Sequence, residues 1–390
     1  PAAIAGDWLA SGIDQNADLW DAGPAAAQTK LVTPRWLKDL FGLPMEWSGA
    51  LTSGATMSNL VGLAAARQWA GARMGFDPAL DGLGGHPPIA VVSSTEIHAS
   101  AVKVLGTLGF GRQSVRKVPA PDGRIDLAAL AATLAGIDGP VIMVANAAEV
   151  NTGQFDDLAG IADILDAHSG GAWLHVDAAF GLFAAASPTL RGLLNGIERA
   201  DSVCSDGHKW LNVPYDCGFA FVRDAEHLRA AFAASGSYIT ASGGWDAHTH
   251  VPEMSRRFRA LSVWCALKAY GREGYRAMVE RCVENSGAFA RWIDATPGLQ
   301  LMNDAPLNIV CFRLAPAGRG DDAADALNRA AVAALQADGR VFVTGTVWAG
   351  RAAIRAAFDN WATGRRDIEL LQEAVAEIGA RLNAAPAQTS

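Results

Sequence analysis

The sequence lacks paired cysteines, runs of one charge sign, low-complexity tracts and internal repeats. Its five cysteines, Cys204, Cys217, Cys265, Cys282 and Cys311, are scattered, odd in number and never spaced C-x-x-C. That argues against a disulfide framework or a zinc site, and for buried structural thiols in a protein of the reducing cytoplasm. No apolar run reaches the length of a membrane span. The first residues, 1–7, lack the basic start and apolar core of a signal peptide. Pro1 is not an initiator methionine, which fits a processed or truncated chain. The formal net charge of −8 gives no footing for a nucleic-acid or acidic-membrane partner.

What the chain does have is length and apolar content. Its 390 residues, half of them hydrophobic, exceed what one ordinary domain needs and suit a large α/β domain with a smaller companion. "IAVVSS" from Ile89, "VIMVAN" from Val141 and "AWLHVDAA" from Ala172 are apolar nearly throughout, as strands covered on both faces are. Helical stretches such as 157–168 lie between them, which predicts a mainly parallel sheet with helical crossovers. From Met254 the texture changes. Two long amphipathic helices broken near Gly271 are predicted, then a strand (307–314), a helix (321–337), two strands (340–346 and 352–357) and a last helix from about Arg366. That order predicts a smaller α+β domain.

Four segments carry chemistry. In "SVCSDGHKWLNVPYDCG" (202–218), Lys209 follows His208 just after a strand. A lysine amine can be deprotonated by desolvation or by neighbouring cations and so form an imine, although a lysine taken alone is more often simply solvated. In "WLHVDAAFG" (173–181), Asp177 ends an apolar strand, where a carboxylate faces the ligand crevice of an α/β sheet. There it suits a protonated pyridine nitrogen, with the small Ala178 and Ala179 beside a flat ring. A helix cap is an equally good reading of Asp177 by itself. In "LTSGATMSNLVGLAAAR" (51–67), a Ser/Gly/Thr loop runs straight into a helix, so that Ala55 and Thr56 would donate to a phosphate. It is not a Walker loop, and an ordinary cap explains it as well. In "SSTEIHASAVKVLG" (93–106), His98 opens a helix, where an imidazole can stack on an aromatic cofactor and move protons, or be merely structural. Pyridoxal 5′-phosphate (PLP) needs all four groups, and they occur here in one chain order.

With these motifs in hand, the chain resembles the group II PLP-dependent decarboxylases, which include the aromatic-L-amino-acid and glutamate decarboxylases. "HVDAAFG" and "DGHKWLNVPYDCG" are the most specific parts, supported by "PEMSRRFRALSVWCAL", "GTVWAG" and "IRAAFDNWAT". The resemblance implies an aminotransferase type I fold: a mainly parallel central sheet in a large domain, with a smaller α+β C-terminal domain. It implies an N-terminal helical segment over 1–45, shortened relative to the family, a PLP-binding domain over 46–255 and a small domain over 256–390. It also implies a homodimer. Lys209 matches the Schiff-base lysine, Asp177 the pyridinium partner, His98 the stacking histidine, Ala55 and Thr56 the phosphate loop, and Ala179 the small residue under the ring. His208 matches the histidine before the lysine, and Asp206 falls where many members carry asparagine near the phosphate.

Two further departures bear on the reaction. Where many members have "GTT", this chain has Ala148-Glu149-Val150 followed by Asn151, which is expected to compensate for the missing threonine as a cofactor contact. The loop that usually carries a proton-donating tyrosine spans 235–252 here, and its aligned position falls near His250, with Tyr238 farther upstream. With His250 as the acid, simple decarboxylation is expected. With no acid at the carbanion, oxygen would intercept it and an aldehyde would form. A lyase or aldolase reaction and a silent PLP-binding protein are the other readings. His248 and His250 lack a third ligand of suitable spacing, so no metal site is expected. No basic residue claims a side-chain carboxylate, and Trp245, Phe110 and Phe180 lean the substrate towards an aromatic or other apolar L-amino acid, though core packing explains such aromatics too.

Overall fold

The computed structural model describes residues 1–21, 23–234 and 246–384. Two compact units emerge: Pro1–Ala147 with Phe155–Arg276, and Ala148–Gln154 with Ala277–Ser390.

The first unit holds, in chain order, α1 (Ala2–Ile13), α2 (Pro24–Phe41), β1 (Ser48–Thr52), α3 (Ala55–Arg73), β2 (Ala90–Ser94), α4 (Ala99–Thr107), β3 (Val115–Val118), α5 (Leu127–Leu134) and β4 (Val141–Asn146). It continues with α6 (Leu158–Asp166), β5 (Ala172–Asp177), β6 (Ser202–Asp206), β7 (Gly218–Val222), α7 (Ala225–Phe232) and the start of α8 (Ala260–Ala295). Its seven-stranded sheet has the order β1-β7-β6-β5-β4-β2-β3. β6, β5, β4, β2 and β3 pair in parallel, and β7 runs antiparallel to both its neighbours. The three strands expected from apolar runs are β2, β4 and β5. Every residue of β4 is buried, as a strand covered on both faces requires.

α3 lies across the sheet, touching β1, β7, β6, β5 and β4. Many of its buried residues are small (Gly62, Ala64, Ala65, Ala66, Ala70), which lets the helix axis approach the strands closely. A helix buried on so many sides needs this composition.

The segment 1–45 belongs to the first unit. Ser262 Oγ donates to the Ala3 carbonyl at 3.0 Å, Arg257 pairs with Asp7 at 2.6 Å, and Trp36 stacks on Trp264 with centroids 6.0 Å apart. These contacts also carry the unit on to Arg276, past the expected boundary near 255. The predicted break at Gly271 is present: its φ of 60° lies in the left-handed region that glycine adopts without strain.

The second unit has an antiparallel sheet of order β10-β11-β9-β8, formed by β8 (Leu299–Leu301), β9 (Ile309–Leu314), β10 (Thr344–Trp348) and β11 (Arg351–Ala357). α9 (Asp321–Asp338) packs on β11, and α10 (Arg365–Ala384) packs on α9. The core centres on Phe289, which meets Phe312 edge-on at 5.3 Å and Phe358 at 5.9 Å.

Candidate active site

The chemistry collects where the C-terminal ends of β5 and β6 meet the N-terminus of α3, all within the first unit. Asp177 is the last residue of β5 and Asp206 the last of β6. Parallel strands deliver their final residues to one edge, and ligands bind there in open α/β sheets.

β1 turns into α3 through Ser53 and Gly54. The Thr52 hydroxyl braces the turn, 2.7 Å from Ser58 Oγ and 3.2 Å from the Gly54 carbonyl. A Cβ on Gly54 would lie 2.9 Å from His208 Cε1, and one on Gly218 would lie 2.5 Å from the Gly54 carbonyl carbon. These two glycines let His208 and β7 pack closely against the helix start, and Thr56 in the first turn of α3 is exposed. Helix geometry aims the first-turn amides out of the helix, towards an anion.

Asp206 occupies that helix end. Its carboxylate accepts the Ala55 N–H, lies 3.3 Å from His208 Nε2 and pairs with Lys209 Nζ at 3.0 Å. Lys209 Nζ also sits 4.4 Å from the centroid of the Phe180 ring. His208 stacks on Tyr215 with centroids 4.1 Å apart, and its Nδ1 accepts from the Cys217 N–H at 3.3 Å. Burial is the main influence lowering the His208 pKa, and the Lys209 charge adds to it against the pull of Asp206.

Asp177 is held from two sides. Asn59 Nδ2 donates to Oδ2 at 3.0 Å, and the Ala179 N–H donates to Oδ1 at 3.2 Å. His98 caps α4: its Nδ1 accepts from the Ser100 N–H at 3.2 Å and lies 2.7 Å from Ser100 Oγ. Asn59 Nδ2 reaches the same Ser100 hydroxyl at 3.4 Å. Asn59 therefore ties α3, α4 and β5 together, a role with no counterpart in the sequence reading.

These residues suit PLP group by group. The glycine-lined helix start with Ala55 and Thr56 fits a phosphate, the Lys209 amine an aldehyde, the Asp177 carboxylate a pyridinium and the His98 imidazole a flat ring face. One feature tells against tight phosphate binding, since Asp206 takes the Ala55 amide and places a negative charge beside a second anion. Asp206→Asn is expected to tighten PLP binding by about tenfold, because like charges a few ångströms apart repel by about 1 kcal/mol or more. A PLP titration followed by tryptophan fluorescence checks this, and weaker binding in the variant would refute it.

Two more of the expected residues have partners of their own. Asn151 belongs to the second unit, where its Oδ1 accepts from the Thr346 hydroxyl at 2.6 Å. His250 is buried on a short helical turn, with Nδ1 2.7 Å from Thr249 Oγ1. Burial pushes its pKa down to about 4, helped by the Arg229 and His248 charges, so the imidazole is neutral at pH 7. His248 pairs with Asp18 at 3.2 Å. Tyr238 and Trp245 lie outside the described residues.

His175, two residues before Asp177 on β5, is fully buried and likewise pushed down to about 4. For both histidines the folded-state pKa lies below the ordinary 6.5, so the unfolded chain protonates first as pH falls. Their stabilisation is complete above pH 6.5 and drains between there and pH 4, by roughly 3 kcal/mol for each. Urea midpoints measured across that range are expected to fall steeply, and less steeply in His250→Gln. A flat profile would remove the assignment.

Residues 1–315 match the pyridoxal-dependent decarboxylase conserved domain. The chain is 31% identical over 328 residues to an aromatic-L-amino-acid decarboxylase of Bacillus atrophaeus, covering 80% of this chain and 65% of the relative. It is 31% identical over 342 residues to an L-2,4-diaminobutyrate decarboxylase of Acinetobacter baumannii, covering 82% and 66%. It thus spans slightly less than two thirds of each. The crystal structure of Oryza sativa TDC with PLP and tryptamine superposes with a TM-score of 0.90 at 26% identity, over 98% of this chain and 81% of that one. The α/β architecture, the site at the strand ends and the matched domain agree, and the chain belongs to the pyridoxal-dependent decarboxylase family.

Proposed function

We propose that the protein decarboxylates an L-amino acid, with aromatic or other apolar side chains favoured, using PLP held by the cluster around Lys209. One observation carries this reading: an amine, a doubly braced carboxylate and a glycine-lined helix start converge on one edge of one sheet.

When bound, PLP supplies an electron sink for the bond that breaks at the substrate Cα. The first turn of α3 at Thr56 would hold the phosphate, the Ala55 amide being taken by Asp206. Asp177, kept in place by Asn59 and Ala179, holds a proton on the ring nitrogen and so keeps the ring electron-poor. Lys209 would provide the amine for covalent attachment, and Asp206 pairs with it at 3.0 Å. Phe180 packs its ring against that amine and offers an apolar wall to the substrate. His98, fixed in orientation by Ser100, lies ready to stack on the ring. Lys209 or His98 would return the proton to Cα.

The neutral His250 also favours a second reading, in which no acid reaches Cα quickly and O2 and water would be consumed to give an aldehyde, ammonia and H2O2 alongside CO2. Five free cysteines support a reducing compartment. α1 exposes Ile4, Trp8, Leu9 and Ile13, which supports burial of that face in a homodimer.

The deciding experiment loads the protein with PLP, records its visible absorbance, and adds a panel of L-amino acids while CO2, H2O2 and aldehyde are followed. CO2 alone supports the decarboxylase reading, and H2O2 with aldehyde supports the second. Cofactor binding without turnover of any amino acid would sink both and leave a silent PLP-binding protein.

A further inference from the structure

Behind Asp177 a row of side chains leads away from the cofactor face into the apolar interior. Asn59 Nδ2 donates to Asp177 Oδ2 at 3.0 Å, and His175 Nε2 lies 2.7 Å from Asn59 Oδ1. His175 Nδ1 lies 2.8 Å from Ser202 Oγ, and Trp173 Nε1 donates to that hydroxyl at 2.8 Å. Asn59, His175 and Ser202 are completely buried, and Trp173 is 2% exposed. Trp173, His175 and Asp177 alternate along β5, so all three leave the strand on the face that α3 covers.

Donors and acceptors in this row determine one another. An indole N–H can only donate, so the Ser202 oxygen accepts from Trp173 and turns its own proton to His175 Nδ1. That leaves the imidazole neutral with its proton on Nε2, aimed at Asn59 Oδ1. With its oxygen so engaged, the Asn59 amide must present its NH2 to Asp177. A flipped amide would set an oxygen 3.0 Å from a carboxylate oxygen, acceptor against acceptor.

A second feature points the same way. Gly62 lies in the middle of α3, where glycine weakens a helix relative to alanine. A Cβ there would fall 2.7 Å from both Cε1 and Nδ1 of His175. The helix forgoes a side chain at the one place where the imidazole crosses it.

We propose that His175 is a positioning residue: through Asn59 it orients the amide that keeps the Asp177 carboxylate aimed at the ring nitrogen of bound PLP. This rests on the pairing of Asp177 with that nitrogen. His175 never touches cofactor or substrate. Its contribution is felt only by a ligand that has the nitrogen.

The test uses the full chain and two ligands, PLP and its 1-deaza analogue, in which C–H replaces the ring nitrogen. Dissociation constants are measured by tryptophan fluorescence for the wild type, His175→Leu, His175→Gln and Gly62→Ala. In His175→Leu the PLP constant is expected to rise about tenfold while that of the deaza analogue changes less than about twofold. His175→Gln, whose amide N–H can reach the place of Nε2, should retain most of the preference. Gly62→Ala removes no polar group and should lose part of the preference by crowding the ring, which keeps the test open should His175→Leu fail to fold. Equal losses for both ligands, or no loss in either His175→Leu or Gly62→Ala, would overturn the relay. A wild type that binds both ligands alike would instead overturn the Asp177 pairing itself, and the relay with it.

Discussion

Replacing Lys209 with alanine is expected to abolish the imine absorbance of the PLP-loaded protein and to lower CO2 release by about a thousandfold or more. Lys209 is the amine at the cluster, with its Nζ 3.0 Å from Asp206 and 4.4 Å from the Phe180 ring. The alanine variant keeps the glycine-lined helix start, Asp177 and His98, so PLP should still bind, without its covalent link. It also deprives the Asp206 carboxylate of its nearest cation, leaving only the Ala55 amide and His208. Spectra and CO2 release recorded on the same sample separate the two effects. Turnover at the wild-type rate would exclude Lys209 as the attachment point.

Asp177→Asn is the second large effect, with kcat expected to fall by about a hundredfold to a thousandfold. The substitution is nearly isosteric, and the new side-chain oxygen can still accept from Asn59, so the packing behind the site survives. What is lost is the negative charge that keeps a proton on the ring nitrogen. PLP should bind more weakly, and the decarboxylation step should slow even at saturating substrate. A variant with unchanged kcat would show that the ring nitrogen needs no carboxylate here.

Much of this was legible in the sequence because the signals are local. An apolar run such as "VIMVAN" can satisfy its side chains only between two layers, and β4 is buried throughout. Lys209, Asp177, His98, Ala55 and Thr56 each sit next to an element boundary that the chain announces by itself. Asn59 does not. An asparagine in mid-helix carries no local mark, and its partners Ser100, His175 and Asp177 are 41, 116 and 118 residues away. His175 did leave a trace, since period-two alternation puts it on the same face of β5 as Asp177. The grip of Asp206 on the Ala55 amide spans 151 residues and depends on how β6 and α3 are juxtaposed, which no local pattern encodes. The burial of His250 was equally hidden, because it depends on α7 and the core around Ala247 and Val251. β1, the five-residue strand SGALT, has little hydrophobic pattern and finds its place by pairing with β7.

Residues Ala148–Gln154 sit in the chain between two stretches of the first unit yet belong with the second. Within that second unit the Asn303 side chain donates to the Thr152 carbonyl, and Arg355 donates to the Val150 carbonyl. A ribosome makes these seven residues long before their companions beyond Ala277 emerge. During synthesis they can form their local hydrogen bonds, such as those that Glu149 accepts from the Asn151 and Thr152 amides, but they gain the Arg355 contact only once β11 exists. A chain cut after Arg276 would keep that loop with nothing to receive it, so the gene has no single point at which it can be divided into two self-sufficient halves.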